Sequence, residues 1–279
     1  MSQLGLEGMP RRLFSCTPSR LTTWLDCPRR YRMTYLDRPP PPKGPPWAHN
    51  TVGSVAHLAL ARWWSEPLER RTPAVARALV DKAWKTEGFA DDAQAERFRG
   101  RAADMVERYV ADLNPDEEPA GVERTVATRS EVLAISGRVD RIDRRGEELV
   151  VVDYKTGRQV LTTDDARGSL ALALYALAAA RTLRARCVRV ELHHLPTGKV
   201  ADFEHTEVSL ARHLSRAEDI GAEAMTATEA LADGGDRETL FPPQPSRVCG
   251  WCDFARVCPE GLAAAGAPKR PWDGLAEEL

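Results

Sequence analysis

The sequence carries almost no net charge, since 39 Lys and Arg residues face 41 Asp and Glu residues and the formal charge at pH 7 is −2. A protein that coats nucleic acid through overall positive charge is therefore excluded, and any contact with nucleic acid must be local. The chain also lacks an apolar run long enough to span a membrane. It contains no Gly-x-x-x-x-Gly-Lys-[Ser/Thr] motif, so any ATP-driven unwinding must come from another protein.

The remaining composition is that of a folded enzyme-sized chain. Of 279 residues, 43% are hydrophobic and 29% are charged. This length permits one large domain, or one domain with appendages. No internal repeat is visible. We expect a cytoplasmic protein with no membrane partner.

Two neighbouring segments have the pattern of a β-hairpin. Residues 137–143 read Gly-Arg-Val-Asp-Arg-Ile-Asp, and residues 150–157 read Val-Val-Val-Asp-Tyr-Lys-Thr-Gly. Val, Ile and alternating residues are typical of strands, and the charged turn between them contains Gly146. With the turn centred there, Asp140 lies opposite Asp153. Because opposed like charges destabilise an antiparallel pair, we expect a cation between these carboxylates.

Lys155 completes a candidate catalytic group. It shares a face with Asp153 because side chains alternate along a strand. Two carboxylates that hold a hard divalent ion, with an amine beside them, suit metal-assisted cleavage of a phosphodiester. The alternative is a surface ribbon with solvated charges. The apolar run before Asp153 favours the site, because a charge at the end of a buried strand needs a partner.

His57 is a further candidate metal ligand. Residues 51–64 have apolar residues at helical spacing, and a histidine in such a helix is often a satisfied core residue. Gly53 lies one turn earlier on the same face. A glycine there costs about 1 kcal/mol relative to alanine and indicates close approach by backbone or substrate.

Four cysteines form the second candidate site. Cys249, Cys252 and Cys258 have the spacing Cys-x2-Cys-x5-Cys, which lacks a local fourth ligand. Cys27 is the expected donor, and Cys16 is its competitor. Structural zinc uses the same four thiolates and remains an alternative. Disulfides are less expected, because no signal peptide opens the chain and intracellular thiols stay reduced.

Together these residues resemble the PD-(D/E)XK nuclease superfamily, in particular its RecB-like branch, which includes CRISPR-associated RecB-like exonucleases and the AddB nuclease domain. Residues 53–57 match the helical Gly-x-x-x-His of that branch. The resemblance implies that His57, Asp140 and Asp153 bind Mg²⁺ or Mn²⁺. It also implies that Lys155 positions or activates the attacking water.

The resemblance extends to the cysteines. Residues 19–31 are similar to the opening motif of the iron–sulfur members of this branch, in which one N-terminal and three C-terminal cysteines hold a [4Fe–4S] cluster. It therefore implies that Cys27, Cys249, Cys252 and Cys258 are cluster ligands. Such a cluster would tie the two ends of the chain together, in a structural role.

A third motif of the branch is only partly present. Its Gln-x-x-x-Tyr lies on the helix after the hairpin, where it contacts the hairpin and DNA. Here Tyr175 matches the tyrosine, but Ala171 occupies the glutamine position. Tyr175 is thus a candidate catalytic residue or a core aromatic. The missing amide predicts altered turnover or substrate choice.

The N-terminal segment is a candidate DNA-binding surface. Residues 1–46 hold eight Lys or Arg against three Asp or Glu, with aromatic residues between them. Basic and aromatic side chains together offer phosphate contacts and base stacking, although a solvated helix face is the commoner outcome. The candidate residues are Arg20, Trp24, Arg29, Arg30 and Tyr31.

We expect an α/β fold with a PD-(D/E)XK restriction-endonuclease-like core, a mixed central sheet flanked by helices, a helical N-terminal subregion and an Fe–S cap. The expected divisions are an N-terminal helical segment (1–46), the nuclease core (47–240) with a helical insertion at about 73–113, and the Fe–S segment and tail (241–279). Expected helices cover 19–34, 73–87, 91–113 and 208–232, expected strands 122–127, 131–143, 149–154, 187–195 and 201–206, and a loose tail 262–279.

The expected function is divalent-metal-dependent cleavage of DNA. The resemblance favours an exonuclease that prefers single strands or free ends and acts in DNA repair or recombination, with a helicase or repair protein as partner. The alternative is a non-hydrolytic DNA-binding or scaffold subunit of a helicase–nuclease or CRISPR adaptation complex, which the alanine at position 171 favours. A nuclease acting on RNA is a third possibility.

Overall fold

The computed structural model describes residues 13–275. Its helices are α1 (Pro18–Asp26), α2 (Pro28–Tyr35), α3 (Ala48–Trp64), α4 (Pro73–Ala83), α5 (Asp92–Ala111), α6 (Thr163–Gly168), α7 (Leu170–Leu183), α8 (Glu207–Ala232), α9 (Arg237–Leu240) and α10 (Pro259–Ala265). Its strands are β1 (Phe14–Cys16), β2 (Gly121–Arg129), β3 (Leu133–Arg145), β4 (Glu148–Lys155), β5 (Arg186–His194) and β6 (Lys199–Glu204). None of these helices has both the length and the apolar character needed to cross a membrane.

The strands form one mixed sheet in the order β1-β3-β4-β5-β6, and β2 also pairs with β3. Two pairings, β1 with β3 and β4 with β5, are parallel, and the other three are antiparallel. The parallel step from β4 to β5 passes through α6 and α7, as a parallel connection requires a crossover. The predicted α/β fold, a mixed sheet flanked by helices, is confirmed.

Strand β4 lies in the middle of the fold and is covered on both faces. Val150, Val152 and Tyr154 pack against α3, α4 and α5. Leu149 and Val151, which alternate with them, pack against α7 on the opposite face. This double burial explains why the strand is a continuous run of apolar residues rather than an alternating one. It also places the polar end of β4 at the margin of two cores.

The predicted single helix over 19–34 is wrong, because the chain forms two helices there. Cys27 separates α1 from α2 with an extended backbone (φ −171°, ψ 113°). Pro28 follows at the first position of α2, and a residue before proline is disfavoured in helical conformation. The break leaves Cys27 at the junction between the two helices, with its side chain free to face the C-terminal segment.

The C-terminal segment is packed rather than loose over the described residues, so this prediction is wrong as far as residue 275. It contains α10, and beyond it Leu275 is 5% exposed and packs with Ala48 and Phe98. The amide of Lys269 donates to the carbonyl of Gly250 at 3.0 Å. The rest of the predicted tail, 276–279, lies outside the described residues, as do residues 1–12 of the N-terminal segment.

A buried ion-pair network fixes the middle of the sheet. The Glu191 carboxylate on β5 accepts two hydrogen bonds from Arg145 at 2.6 and 2.8 Å and one from Arg189 at 3.0 Å. His193 Nε2 lies 2.9 Å from the same carboxylate. Burial alone raises the pKa of Glu191, but these hydrogen bonds and the charge of Arg145 outweigh burial and hold the pKa well below its ordinary value.

We expect Glu191→Gln to lower the free energy of unfolding by about 2 kcal/mol at pH 7, because the buried carboxylate loses its charged hydrogen bonds to Arg145 and Arg189, which are partly exposed. A carboxylate with a lowered pKa stabilises the fold above its ordinary pKa, and that contribution is lost as the pH falls further. The difference from wild type in urea unfolding should therefore shrink below about pH 4. The exposed Glu229→Gln is the matched control, and an equal loss in both variants would contradict the network's role.

Candidate active site

Three carboxylates form a row across three neighbouring strands. In the antiparallel β3–β4 pair, Arg141 lies opposite Val152, so the register confirms the predicted hairpin and sets Asp140 against Asp153. In the β2–β3 pair, Val122 lies opposite Arg141 and Arg124 lies opposite Val139. Glu123, between them, therefore lies opposite Asp140. Glu123 has a positive φ of 46°, which is uncommon for a residue with a side chain. Such local irregularity in a strand redirects side chains, and it often occurs beside active sites.

His57 reaches this row from α3. Its Nδ1 lies 3.2 Å from Oδ1 of Asp140, and its Nε2 lies 3.1 Å from the carbonyl oxygen of Tyr154. Burial alone lowers the pKa of His57, but the hydrogen bond and charge of Asp140 and the charges of Asp153 and Glu123 outweigh burial and raise the pKa. A neutral imidazole donates only one hydrogen bond, so two facing acceptors suit either a protonated ring or a bound cation.

Asp153 and Lys155 form a close ion pair at the end of β4. The Nζ of Lys155 lies 2.6 Å from Oδ2 of Asp153, and Lys155 is 45% exposed. Burial raises the pKa of Asp153; Lys155 lowers it in part, and the neighbouring charge of Asp140 raises it again. The backbone amide of Tyr154 donates to Oδ2 of Asp140 at 2.9 Å. The main-chain N–H and C=O of Tyr154 thus contact Asp140 and His57, respectively.

The donor set fits a hard divalent ion. Ligand atoms of His57, Glu123 and Asp140 all lie within 4.8 Å of one another. Glu123 is a carboxylate that the sequence prediction missed. Asp153 is not part of this set, and its role as a metal ligand stays a prediction. Burial raises the pKa of Glu123, Arg138 lowers it from 2.8 Å, and the charge of Asp140 raises it. Oxygen ligands with one imidazole suit Mg²⁺ or, still better, Mn²⁺.

Tyr175 on α7 packs directly on the strand that carries Asp140. A Cβ atom added to Gly137 would lie 2.6 Å from Cε1 of Tyr175, so only glycine permits this contact. Burial raises the pKa of Tyr175, and the charges of Asp153 and Asp140 raise it further. The ring therefore lies near the carboxylates, and its catalytic role stays a prediction.

His57, Glu123, Asp140 and Tyr175 line a cleft of about 1190 Å³. Its lining includes α3 with His57, α5, the hairpin residues Glu123 and Asp140, the loop after β4, and Tyr175. Gly274 and Leu275 from the C-terminal segment also contribute. The cleft is large enough to admit a ligand of several sugar or nucleotide units, since drug-sized ligands fill about 300–1,000 Å³.

A second cavity of about 280 Å³ is lined by Cys27, Cys249, Cys252 and Cys258. Each of the four sulphurs faces an N–H donor. The donors are the amides of Gln244 to Cys27 (3.4 Å), Ser246 to Cys249 (3.3 Å) and Phe254 to Cys252 (3.5 Å), and the guanidinium of Arg29 to Cys258 (3.9 Å). Hydrogen bonds to sulphur stabilise metal-bound thiolates, so this arrangement fits a metal group.

The sulphurs lie farther apart than they would around a bound zinc ion. Within residues 13–275, no three cysteine sulphurs lie within 4.8 Å of one another, whereas tetrahedral zinc with bonds of about 2.3 Å brings its four sulphurs to about 3.8 Å. A Cβ atom on Gly261 would lie 3.3 Å from the sulphur of Cys258, so a side chain at position 261 would crowd this sulphur in the cavity. Cys16 and Cys187 are buried in apolar clusters elsewhere, which excludes Cys16 as the fourth ligand.

The N-terminal aromatic residues are not available for base stacking, so this part of the predicted DNA-binding surface is wrong. Trp24 is 8% exposed and Tyr31 is 0% exposed, and both pack in the core with Phe241. Arg20 donates to the Tyr31 hydroxyl at 2.9 Å. The remaining two arginines are in ion pairs: Arg29 is buried between Glu238 and Glu260, and Arg30 pairs with Asp26.

Comparison with known proteins places this geometry in a family. The model of the PD-(D/E)XK nuclease superfamily matches residues 15–259. The crystal structure of a "Putative exonuclease" from Eubacterium rectale has a TM-score of 0.50 at 12% identity and covers 92% of this chain and 95% of its own, which shows a shared fold. The structure of SSO0001 has a TM-score of 0.37 at 12% identity and covers 91% of each chain. No curated protein matches the sequence.

We expect Glu123→Gln to weaken Mn²⁺ binding at least about tenfold, because an amide retains the shape of the side chain but not its charge. Titration calorimetry with Mn²⁺ measures this directly. Glu131→Gln, an exposed change in the turn between β2 and β3, should bind Mn²⁺ as wild type does. Equal affinity of Glu123→Gln and wild type would remove Glu123 from the ligand set.

Proposed function

We propose, since this chain belongs to the PD-(D/E)XK nuclease superfamily, that it is a divalent-metal-dependent deoxyribonuclease, specifically a RecB-like exonuclease that prefers single-stranded DNA. The observation that carries the proposal is the convergence of His57, Glu123 and Asp140, with ligand atoms within 4.8 Å, beside the Asp153–Lys155 pair. Repair or recombination is the proposed setting, with unwinding supplied by a helicase or repair partner.

Each side chain has a role that follows from its position. His57, Asp140 and Asp153, together with Glu123, would hold Mg²⁺ or Mn²⁺. Such an ion would supply polarisation of the scissile phosphate and would lower the pKa of a water molecule bound to it. The amide of Tyr154 contacts Asp140 and its carbonyl contacts His57. The main chain of one buried residue therefore sets the spacing between two proposed ligands.

Lys155 contributes a positive charge that the carboxylates alone cannot supply. Its ammonium lies 2.6 Å from Asp153 and the side chain is 45% exposed, so water and an external phosphate have access to it. A positioned ammonium orients the attacking water and offsets charge on the phosphate as it develops. Tyr175, packed on Gly137, supports the strand that carries Asp140.

The size of the cleft supports the preference for single strands. About 1190 Å³ is only slightly more than drug-sized ligands fill. A short stretch of one strand fits such a volume, as the proposed activity on single-stranded DNA requires.

We also propose a [4Fe–4S] cluster on Cys27, Cys249, Cys252 and Cys258. Four sulphurs line one cavity of about 280 Å³, each with an N–H donor, at a spacing wider than a zinc ion needs. The cluster would join the α1–α2 junction to the C-terminal segment across most of the chain. Its role is structural, because metal binding then contributes to folding.

We expect Lys155→Ala to reduce cleavage at least about 100-fold while DNA binding persists, since it removes a positioned charge and no part of the fold. The assay uses end-labelled single-stranded and duplex DNA with Mn²⁺, Mg²⁺ or EDTA, and the product ladder gives the polarity. Lys199→Ala, an exposed lysine on β6, should cut as wild type does.

Two results of this assay would contradict the proposal. Cleavage that continues at the wild-type rate in EDTA would exclude the metal mechanism. Wild-type protein that binds DNA but cuts nothing with either metal would favour a scaffold subunit, a reading that Ala171 in place of the family's glutamine supports.

We expect Cys252→Ser to lower the iron content per chain and the melting temperature of anaerobically purified protein, because one thiolate of four is lost. Elemental analysis for iron and zinc, with visible absorbance, measures the outcome. Cys187→Ala, outside the cavity, should retain the iron of wild type. Zinc at one ion per chain in wild type would replace the cluster by a zinc site.

A further inference from the structure

One side of the active-site cleft is formed by α5, whose exposed residues repeat at helical spacing. Arg101, Asp104 and Arg108 are exposed and line the cleft, while Ala102 and Met105 between them are buried. Residues three, four and seven apart lie on one face of a helix. The wall facing the metal ligands therefore carries two guanidinium groups on a rigid element.

Most of the acidic groups in the cleft already have cationic partners. Asp104 pairs with Arg77, Glu123 pairs with Arg138 and Asp140 with His57. In the part of the chain that the structure describes, Arg108 has no acidic partner, nor does Arg158 on the opposite loop. Both are exposed at the cleft. A flexible cation without a partner in a cleft is free to take an external anion.

Arg158 is held near the chemistry by its loop. It follows Lys155 by three residues, and the loop is anchored at two points. The carbonyl of Lys155 accepts from the amide of Leu195 at 2.9 Å, and the carbonyl of Gly157 lies 2.7 Å from Nε2 of His194. His194 is 2% exposed, so a buried side chain fixes the loop. The main chain just before Arg158 is therefore anchored, and Arg158 lines the cleft.

We propose that Arg108 on α5 and Arg158 on the loop after β4 each bind a backbone phosphate of a single DNA strand that lies in the cleft past the metal ligands. Both arginines line the same cleft as His57, Glu123 and Asp140. A strand held by them would therefore lie beside the proposed metal site. The inference rests on the proposed nuclease function and names the residues that hold its substrate.

The test is fluorescence anisotropy with a labelled single-stranded oligonucleotide of about 16 nucleotides, titrated with the full chain in EDTA over a series of KCl concentrations. EDTA prevents cleavage, so binding is measured independently of the chemistry. The variant is Arg108→Ala with Arg158→Ala. The matched control is Arg212→Ala with Arg216→Ala, which removes the same charge from an exposed face of α8 that lines neither cavity.

Each phosphate contact on a single strand contributes about 0.7 to the slope of log affinity against log salt. Loss of two contacts should therefore make the slope about 1.4 shallower and raise the Kd about 25-fold in 0.1 M KCl. The control should stay within about twofold of wild type. With Mn²⁺ present, the variant should show a raised KM for cleavage with kcat little changed.

The outcomes separate this inference from the nuclease proposal. Three results would each overturn the assignment of Arg108 and Arg158 as phosphate ligands: equal slopes for the variant and wild type, an equal loss in the control, or no binding of DNA by wild type in EDTA. If the variant loses affinity as expected but wild type cuts nothing with Mn²⁺, this assignment stands and the nuclease proposal fails. If wild type cuts DNA and the variant binds normally, the nuclease proposal stands and the assignment fails.

Discussion

The repulsion among carboxylates set side by side on three strands is the constraint on which the active site depends. Glu123, Asp140 and Asp153 occupy opposed positions, where like charges are destabilising. His57 and Lys155 offset only part of this charge, since burial and Asp140 still raise the pKa values of Asp153 and Glu123. A divalent cation bound between these carboxylates would offset the remaining negative charge.

The helix that carries His57 is positioned by the cysteine segment. The indole N–H of Trp47, just before α3, donates to the carboxylate of Asp253 at 3.1 Å, and the amide of Ala48 donates to the carbonyl of Pro271 at 3.1 Å. Asp253 follows Cys252 directly in the chain. His57 lies nine residues after Ala48, about 13.5 Å along the helix. The cysteine site and the carboxylate site thus share one rigid element, although they lie in separate cavities.

Local patterns predicted the hairpin, whereas packing between distant segments decided what sequence reasoning missed. The register of Asp140 and Asp153 follows from turn position and alternation within about twenty residues. Glu123 joins them through a second turn at 130–132, whose weak signal, Ser130, does not by itself set a register. Trp24 and Tyr31 have the composition of a stacking surface, but Phe241, more than two hundred residues later, covers them. No local sequence pattern predicts this contact.

Several arginines among the described residues stabilise the fold, so a count of basic residues does not by itself locate a substrate surface. Arg29 forms ion pairs with two glutamates. Arg141 is 3% exposed; it forms an ion pair with Asp143 and donates hydrogen bonds to two tyrosines. Arg145 forms an ion pair with Glu191. These guanidinium groups already form ion pairs that stabilise the fold, so they could bind phosphate only by breaking those pairs. What matters for a polyanion is therefore which guanidinium groups remain without acidic partners at the cleft, and that is a property of three-dimensional pairing rather than of composition.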